Sequence, residues 1–199
     1  MEYFDRLWGA VGAAGEVEPA HFELRLDFLL ANVESRDRVI DVGCGIGWFS
    51  DALAGRGFDV VGVDVSREAI GRARARYPGL AFEVSGEDSL PFDDGAFGVA
   101  WLGEVLEHVR DGLGLLAEIG RVIGPGGLLV VSTPDHAWRR RLALGLSRRA
   151  FEAHFEPRAD HLRFFTRQSL TATLEAAEFE AVVARSARGV LLATARAAG

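Results

Sequence analysis

The stretch that decides the fold is Asp41-Val42-Gly43-Cys44-Gly45-Ile46-Gly47. It follows a short β-branched run and precedes a helical pattern that starts at Trp48. Because glycine has no Cβ, the backbone can turn tightly here and a ligand can press against it. The N-terminus of the following helix would add oriented N–H groups. The stretch therefore predicts a strand, a binding loop and a helix in succession.

Outward from this loop, apolar runs alternate with helical patterns along the chain. The predicted strands are Arg38–Val42, Phe58–Val63, Leu80–Val84, Phe97–Trp101, Leu128–Ser132, Phe179–Arg185 and Val190–Ala195. The predicted helices are Phe22–Val33, Trp48–Gly55, Arg67–Tyr77, Gly112–Val122 and a last helix that Thr166 caps and that runs to Ala177. Such alternation is typical of an α/β fold with a parallel sheet covered on both faces. Ligands of such sheets bind beyond the carboxyl ends of the strands, where the strand order reverses.

Composition and charge narrow the class of protein. The 199 residues suit one domain, and the net charge of −7 disfavours binding to a nucleic-acid backbone. Cys44 is the one cysteine, so no internal disulfide forms, which suits a reducing compartment. The N-terminus lacks the pattern of a secretion signal, and no apolar run approaches the roughly 18 residues of a membrane span. We therefore expect a cytoplasmic protein.

One segment departs from the acidic balance. Trp138–Arg149 carries five arginines and no acid. It could make peripheral contact with anionic lipid or hold an anionic acceptor. A solvated, charged cap is the alternative interpretation of the same pattern.

Two acidic positions follow the glycine loop. Asp64 ends the second predicted strand about 20 residues after the glycines, where a ribose-binding acid belongs in a nucleotide-binding βαβ unit. Glu87 and Asp88 follow the third strand and could accept a hydrogen bond from an adenine amino group. A solvated loop is the alternative at these two positions.

A nicotinamide-binding loop fits the sequence poorly. The spacing G-x-G-x-x-G would place its third glycine at Trp48, and Gly47 comes one residue early. Asp41 would repel a pyrophosphate but would favour a cationic ligand, such as the ammonium of a methionyl group.

These pieces resemble class I S-adenosylmethionine-dependent methyltransferases. The match is carried in order by 39–47, Val63-Asp64, 90–97, 105–109 and 121–128. The resemblance implies a Rossmann-like, doubly wound, seven-stranded sheet, mostly parallel with an antiparallel last strand. It also implies a cofactor site made of Asp41, Gly43, Cys44, Gly45, Gly47, Asp64, Val65, Glu87, Asp88 and Leu102. In many relatives the adenine acid would stand at Gly86, so either Glu87 or Asp88 takes that role here.

Within this family the sequence is similar to the O-methyltransferases of ubiquinone synthesis and their small bacterial relatives. The similarity lies in Phe4-Asp5, Glu18-Pro19, 24–29 and 104–108. By this resemblance Arg25 pairs with the methionyl carboxylate. The resemblance also implies one domain over 1–199, with N-terminal lid helices in 1–36 and a substrate cap in 134–165. The protein would act as a monomer or a homodimer.

Histidines are the candidate bases for methyl transfer to oxygen, since imidazole titrates near neutral pH. His136 follows the fifth strand at the expected acceptor edge, and His108 is the second candidate. His154 and His161 could also serve as base or substrate contact. Glu104, Glu107 and His108 have spacings of three and four, which predicts one face of a helix and a possible magnesium site. The same residues could instead shape a turn beside the cofactor.

The predicted activity is transfer of a methyl group from S-adenosylmethionine to a small-molecule acceptor. Oxygen is the first choice of acceptor atom and nitrogen the second. The alternative is a regulatory or partner protein that binds S-adenosylmethionine without turnover.

Overall fold

The computed structural model describes residues 4–6, 8–9, 18–34, 37–136 and 162–199. The helices are α1 (Phe22–Leu30), α2 (Trp48–Ala54), α3 (Arg67–Arg76), α4 (Gly112–Ile123) and α5 (Arg167–Ala176). The strands are β1 (Arg38–Val42), β2 (Asp59–Asp64), β3 (Ala81–Val84), β4 (Val99–Gly103), β5 (Leu128–Pro134), β6 (Phe179–Ala187) and β7 (Val190–Ala197). Residues 4–6 and 8–9 are also helical.

The strands form one sheet in the order β3-β2-β1-β4-β5-β7-β6. In the part of this order that runs β3-β2-β1-β4-β5, neighbouring strands pair in parallel. Strand β7 runs antiparallel to both β5 and β6. The predicted seven-stranded sheet with an antiparallel last strand is therefore confirmed. The strand order reverses between β1 and β4, so a crevice is expected where their carboxyl ends diverge.

The central strands are apolar because both faces of the sheet are covered. Alternate residues point to opposite faces: Ile40 and Val42 pack in the cluster with α4 and α5, whereas Val39 packs in the cluster with α1 and α2. Each fully buried aliphatic side chain of this kind contributes about 1.5–3 kcal/mol to folding. Packing in the two clusters fixes the positions of the strand ends, and the loops that follow the strands begin at these fixed positions.

Helix caps confirm two predicted boundaries. The Ser66 Oγ accepts a hydrogen bond from the Ala69 N–H at the start of α3. Thr166 caps α5 in a reciprocal capping box with Ser169. Each such cap stabilises its helix by about 1 kcal/mol.

The predicted helix through Glu104, Glu107 and His108 is wrong. β4 ends at Gly103, residues 106–108 form a turn, and α4 begins only at Gly112. Glu104 adopts a left-handed backbone conformation with φ of 59°, which a helix does not accommodate. Its N–H donates to the Ser132 carbonyl oxygen at 2.9 Å, so this residue continues the pairing with β5 instead.

In the part of the chain that the structure describes, no helix has the length and apolar character needed to cross a membrane.

Candidate functional site

The glycine loop owes its shape to left-handed backbone conformations and to close packing. Gly43, Gly45 and Gly47 have φ values of 72°, 54° and 88°. A Cβ on Gly45 would lie 2.6 Å from the Trp8 indole, and one on Gly47 would lie 2.7 Å from the Phe82 ring. The space beside Gly43 is filled by the Val105 side chain. The absence of side chains at the three glycines therefore leaves room for three side chains from distant parts of the chain. These contacts could not be predicted from the sequence.

Asp64 joins the glycine loop to the start of α3. One carboxylate oxygen accepts from the Gly45 N–H at 2.9 Å, and the other accepts from the Ser66 N–H at 2.8 Å. Burial raises the pKa of this carboxyl group, and the two N–H donors oppose that shift. The sequence placed Asp64 at the end of β2, and the structure adds that its carboxylate fixes the loop.

The loop that carries the predicted adenine acids begins beside Asp64. The Ser85 N–H donates to the Asp64 carbonyl oxygen at 3.0 Å, which brings the loop after β3 alongside the end of β2. The side chains of Glu87 and Asp88 are exposed on that loop. Val65, which follows Asp64, is half-buried. Four of the predicted cofactor residues thus lie at the end of β2 and on the loops that follow β2 and β3.

Two other predicted cofactor residues have side chains that point into the protein. Leu102 is fully buried in the core cluster with α4, so its backbone alone is available at the crevice. The Cys44 side chain packs against the cluster of Ile70, Ala73 and Phe82. Burial raises the pKa of its thiol well above the ordinary value, so the thiol is neutral and packs as a small apolar group.

Asp41 lies beneath the glycine loop. Its carboxylate accepts from the Ser50 hydroxyl at 2.6 Å, and the residue is only 2% exposed. Burial raises its pKa to about 6, although Ser50 and the Arg25 guanidinium favour the ionised form. Asp41 can therefore contribute negative charge below the loop at neutral pH, while one of its oxygens is already occupied.

Arg25 reaches from α1 to the ends of β4 and β5. Its Nε donates to the Ser132 hydroxyl at 2.9 Å, and that hydroxyl donates to Glu104 at 3.0 Å. The guanidinium lies 4.8 Å from the centre of the Phe49 ring and is buried. Burial lowers its pKa, and nearby carboxylates led by Glu104 oppose this shift. The arrangement puts a fixed positive charge at the crevice.

Glu107 is a buried carboxyl group at the turn after β4. It is 1% exposed, and one oxygen accepts from the Thr133 hydroxyl at 2.9 Å. Within the described residues its Oε1 has no hydrogen-bond partner; the His108 Nε2 lies 3.8 Å away. Burial raises its pKa to about 8, and the neighbouring charge of Glu104 adds to the shift. Glu107 therefore carries a proton at neutral pH.

His136 is held rigidly at the end of β5. Its Nδ1 lies 3.1 Å from the Pro134 carbonyl oxygen, and its ring meets the Phe164 ring edge-on at 5.0 Å. The Nδ1–H tautomer satisfies the contact with Pro134, an assignment made from the hydrogen-bond geometry. Nε2 then carries the lone pair and is the nitrogen able to accept a proton. His108, the second candidate, is partly exposed in the turn at 106–108.

The segment that precedes α5 is hydrogen-bonded to the same edge of the sheet. The Glu107 carbonyl oxygen accepts from the N–H groups of Leu162 and Arg163, at 2.7 and 3.1 Å. The His136 N–H donates to the Phe165 carbonyl oxygen at 2.8 Å. Residues 162–165 therefore form one wall beside both candidate bases.

Magnesium does not fit the predicted acidic trio. Among the described residues, no group of three or more His, Cys, Asp or Glu side chains is arranged to hold a metal ion. One carboxylate oxygen of Glu107 accepts from the Thr133 hydroxyl, and one of Glu104 accepts from the Ser132 hydroxyl. The spacing that suggested a shared face applies to a helix, and this segment is a turn.

Several predicted features lie outside the described residues. These are His154, His161, the basic segment Trp138–Arg149, most of the substrate cap in 134–165 and part of the lid in 1–36.

Taken together, the sheet order, the glycine loop and the acid after β2 define a Rossmann-like protein with a nucleotide-cofactor site. Residues 17–184 match a family model described as a methyltransferase domain. The chain belongs to that family, and the cofactor that the family implies is S-adenosylmethionine.

Named relatives agree with this family. A ubiquinone biosynthesis O-methyltransferase from Alkalilimnicola ehrlichii is 35% identical over 60% of this chain and 52% of its own length. One from Xanthomonas campestris is 31% identical over 88% of this chain and 76% of its own length. This chain therefore spans only about half of the Alkalilimnicola relative.

A solved structure shares the fold. It is a chain from the complex that contains the Haloferax volcanii Trm112 methyltransferase activator, and it aligns with a TM-score of 0.77. The two chains are 20% identical, and the alignment covers 100% of this chain and 96% of that chain.

The cofactor of the family fits the residues that are present. A ribose needs an acceptor at the end of β2, and Asp64 lies there. A methionyl group carries both an ammonium and a carboxylate, and Asp41 and Arg25 bring opposite charges to the same crevice.

Proposed function

We propose that this chain transfers a methyl group from S-adenosylmethionine to an oxygen atom of a small-molecule acceptor. The observation that carries the proposal is the Asp64 carboxylate, which is tied to the Gly45 N–H in a chain of the methyltransferase family. The choice of oxygen is supported by relatives named as O-methyltransferases. Nitrogen is the second choice of acceptor atom.

In this proposal the cofactor lies across the carboxyl ends of β2, β1 and β4. Asp64 accepts from the ribose hydroxyls, and Glu87 or Asp88 accepts from the adenine amino group. The glycine loop and Asp41 face the methionyl part, and Arg25 pairs with its carboxylate. Gly43, Cys44 and Gly47 contribute backbone, as does Leu102, while Val65 lies against the nucleoside.

When bound, S-adenosylmethionine would supply an electrophilic methyl group, which would pass in line to the acceptor atom as the methyl–sulfur bond breaks and S-adenosylhomocysteine leaves. The protein orients the two reactants and keeps water away from the site. The His136 Nε2 accepts the proton of the acceptor hydroxyl as the oxygen attacks. Because Nδ1 is directed at the Pro134 carbonyl, the imidazolium that forms is stabilised by that carbonyl. His108 would serve as the base only if His136 proves dispensable.

Calorimetric titration with S-adenosylmethionine, S-adenosylhomocysteine and NAD tests the cofactor part of the proposal. We expect micromolar binding of the two adenosyl ligands and none of NAD. Methyl transfer is then followed by mass spectrometry with protocatechuate, a soluble catechol, as the first acceptor, with and without magnesium. Binding of adenosyl ligands without transfer to any acceptor in a wider panel would favour a regulatory protein instead.

Replacing Asp64 by alanine should weaken S-adenosylhomocysteine binding by about 1–3 kcal/mol, since charged hydrogen bonds to the ribose and the support of the loop are both lost. The measurement is the dissociation constant by calorimetry. Asp59→Ala is the matched control, because Asp59 lies at the opposite end of the same strand. An unchanged dissociation constant in Asp64→Ala would remove Asp64 from the site.

A further inference from the structure

The loop that carries the predicted adenine acids is closed on itself. The Gly86 N–H donates to the Ser89 carbonyl oxygen at 3.0 Å, so residues 86–89 form a compact turn, the adenine loop. Just before it, the Ser85 N–H donates to the Asp64 carbonyl oxygen at 3.0 Å. The entry of the adenine loop is therefore fixed to the end of β2, where the acid assigned to the ribose lies.

The exit of the adenine loop is fixed by a carboxylate on α4. Leu90, the residue that follows the loop, is buried in the core cluster with α4, and its N–H donates to the Glu118 carboxylate at 2.7 Å. A hydrogen bond to an ionised acceptor is stronger than one between neutral groups. Glu118 thus holds the backbone directly after the loop in one position.

Arg121, one turn further along α4, binds both Glu118 and the same stretch of backbone. Its Nε and Nη2 donate to the two Glu118 carboxylate oxygens at 2.8 and 2.7 Å. Nη2 also donates to the Leu90 carbonyl oxygen at 3.2 Å, and Nη1 donates to the Phe92 carbonyl oxygen at 2.8 Å. The contact with Arg121 holds the pKa of Glu118 below its ordinary value, so the pair is ionised at neutral pH. Glu118 and Arg121 together form the α4 clamp.

A second carboxylate on Arg121 differs from Glu118 in its exposure. Asp94 accepts from the Arg121 Nη1 at 2.7 Å, but its side chain is 82% exposed, and an ion pair in solvent contributes little. The Glu118 side chain is 17% exposed, and its loss would remove the acceptor of a buried backbone N–H. The exit of the adenine loop therefore depends on Glu118 and not on Asp94.

We propose that Glu118 and Arg121 are positioning residues that set the specificity of this protein for the adenine base. This rests on the proposed function, in which Glu87 or Asp88 accepts from the adenine amino group. A loop that is fixed at both ends holds this acceptor in place before the cofactor binds, so less conformational freedom is lost on binding. Without the α4 clamp the loop is fixed at its entry alone. The clamp acts through the loop and not by contact with the base.

The experiment is calorimetric titration of the whole chain with S-adenosylhomocysteine and with its purine analogue, which lacks the 6-amino group. Wild type should bind S-adenosylhomocysteine about tenfold more tightly than the analogue, because the analogue leaves the acceptor on the loop without its donor. Glu118→Ala should weaken S-adenosylhomocysteine binding about tenfold and leave binding of the analogue almost unchanged, so the preference is lost. Asp94→Ala is the matched control, because Asp94 binds the same arginine at the surface, and it should keep the wild-type preference.

The possible results separate this inference from the proposed function. A wild-type chain that binds neither ligand would overturn both. A wild-type chain that binds the two ligands equally would overturn the inference alone, since the amino group is then not recognised. The same holds if Glu118→Ala weakens both ligands by one factor, because the clamp then supports the site as a whole and not the recognition of the base.

Arg121→Lys decides the question should Glu118→Ala fail to fold. Lysine keeps a positive charge beside Glu118 but cannot make the bidentate contact and reach both carbonyl oxygens. The preference for S-adenosylhomocysteine over the purine analogue should then fall about threefold, since the exit of the loop is held less firmly. An unchanged preference in this variant would contradict the inference.

Discussion

Replacing Glu107 by glutamine should make the protein more stable at alkaline pH, by up to about 5 kcal/mol, and change its stability little at pH 4. The folded-state pKa of Glu107 is about 8, whereas the ordinary glutamate value is 4.5. Between these values the folded protein keeps a proton that the unfolded chain has lost. The free energy of unfolding therefore falls as pH rises, by about 1.4 kcal/mol per pH unit. Glutamine mimics the neutral acid and removes this dependence.

The measurement is urea unfolding of the wild-type chain and Glu107→Gln at pH 4, 6 and 9. Glu23→Gln is the matched control, because Glu23 is exposed on α1 and should leave the pH profile as in wild type. Asp41→Asn should act in the same direction as Glu107→Gln, but over the window from the ordinary aspartate value of 3.8 up to about 6. Parallel pH profiles for wild type and Glu107→Gln would show that Glu107 is ionised in the folded protein.

Replacing His136 by alanine should lower kcat for oxygen methylation by about 10²–10⁴-fold, the usual contribution of a general base. The dissociation constant of S-adenosylhomocysteine should stay unchanged, because His136 lies after β5 and Asp64 after β2. Kinetics by mass spectrometry, with the first acceptor that the wild-type chain turns over, measure the effect. His21→Ala serves as the control, since His21 is exposed before α1.

The outcome also assigns the base. If His136→Ala keeps kcat within threefold of wild type while His108→Ala loses activity, the proton acceptor is His108. If neither substitution matters, the acceptor arrives already deprotonated or attacks the methyl group through a nitrogen atom. A loss of activity together with loss of cofactor binding in His136→Ala would point to a structural role through its contacts with Pro134 and Phe164.

Most of the fold follows from the sequence because strand and helix patterns are local. The runs around Ile40 and Leu129 are continuous and apolar, which is typical of strands buried on both faces. β5 extends beyond its predicted end because pairing continues through a polar residue and a proline, Thr133 and Pro134, opposite Leu191 and Val190. A hydrophobic pattern does not predict that such residues belong to a strand.

The sequence names candidate site residues, and the structure adds the contacts that they make. Glycines and acids at strand ends are visible as motifs, so Gly45 and Asp64 could be named. Three contacts join residues that are far apart in the sequence: the hydrogen bond between Gly45 and Asp64, the packing of Trp8 against Gly45 and the hydrogen bond between Thr133 and Glu107. A single sequence carries no signal for such contacts. The acidic trio failed for a different reason. A spacing of three and four fits a turn as well as a helix, and the left-handed Glu104 decides for the turn.

The fastening of both ends of 137–161 has a consequence for protein engineering. The His136 N–H donates to the Phe165 carbonyl oxygen, and the Leu162 N–H donates to the Glu107 carbonyl oxygen in the turn after β4, so the described residues on either side of 137–161 are fixed to the same edge of the sheet. The entropy of closing an insert between fixed ends grows only with the logarithm of its length. Libraries that exchange 137–161 for segments of other lengths should therefore leave the fold of the described residues intact.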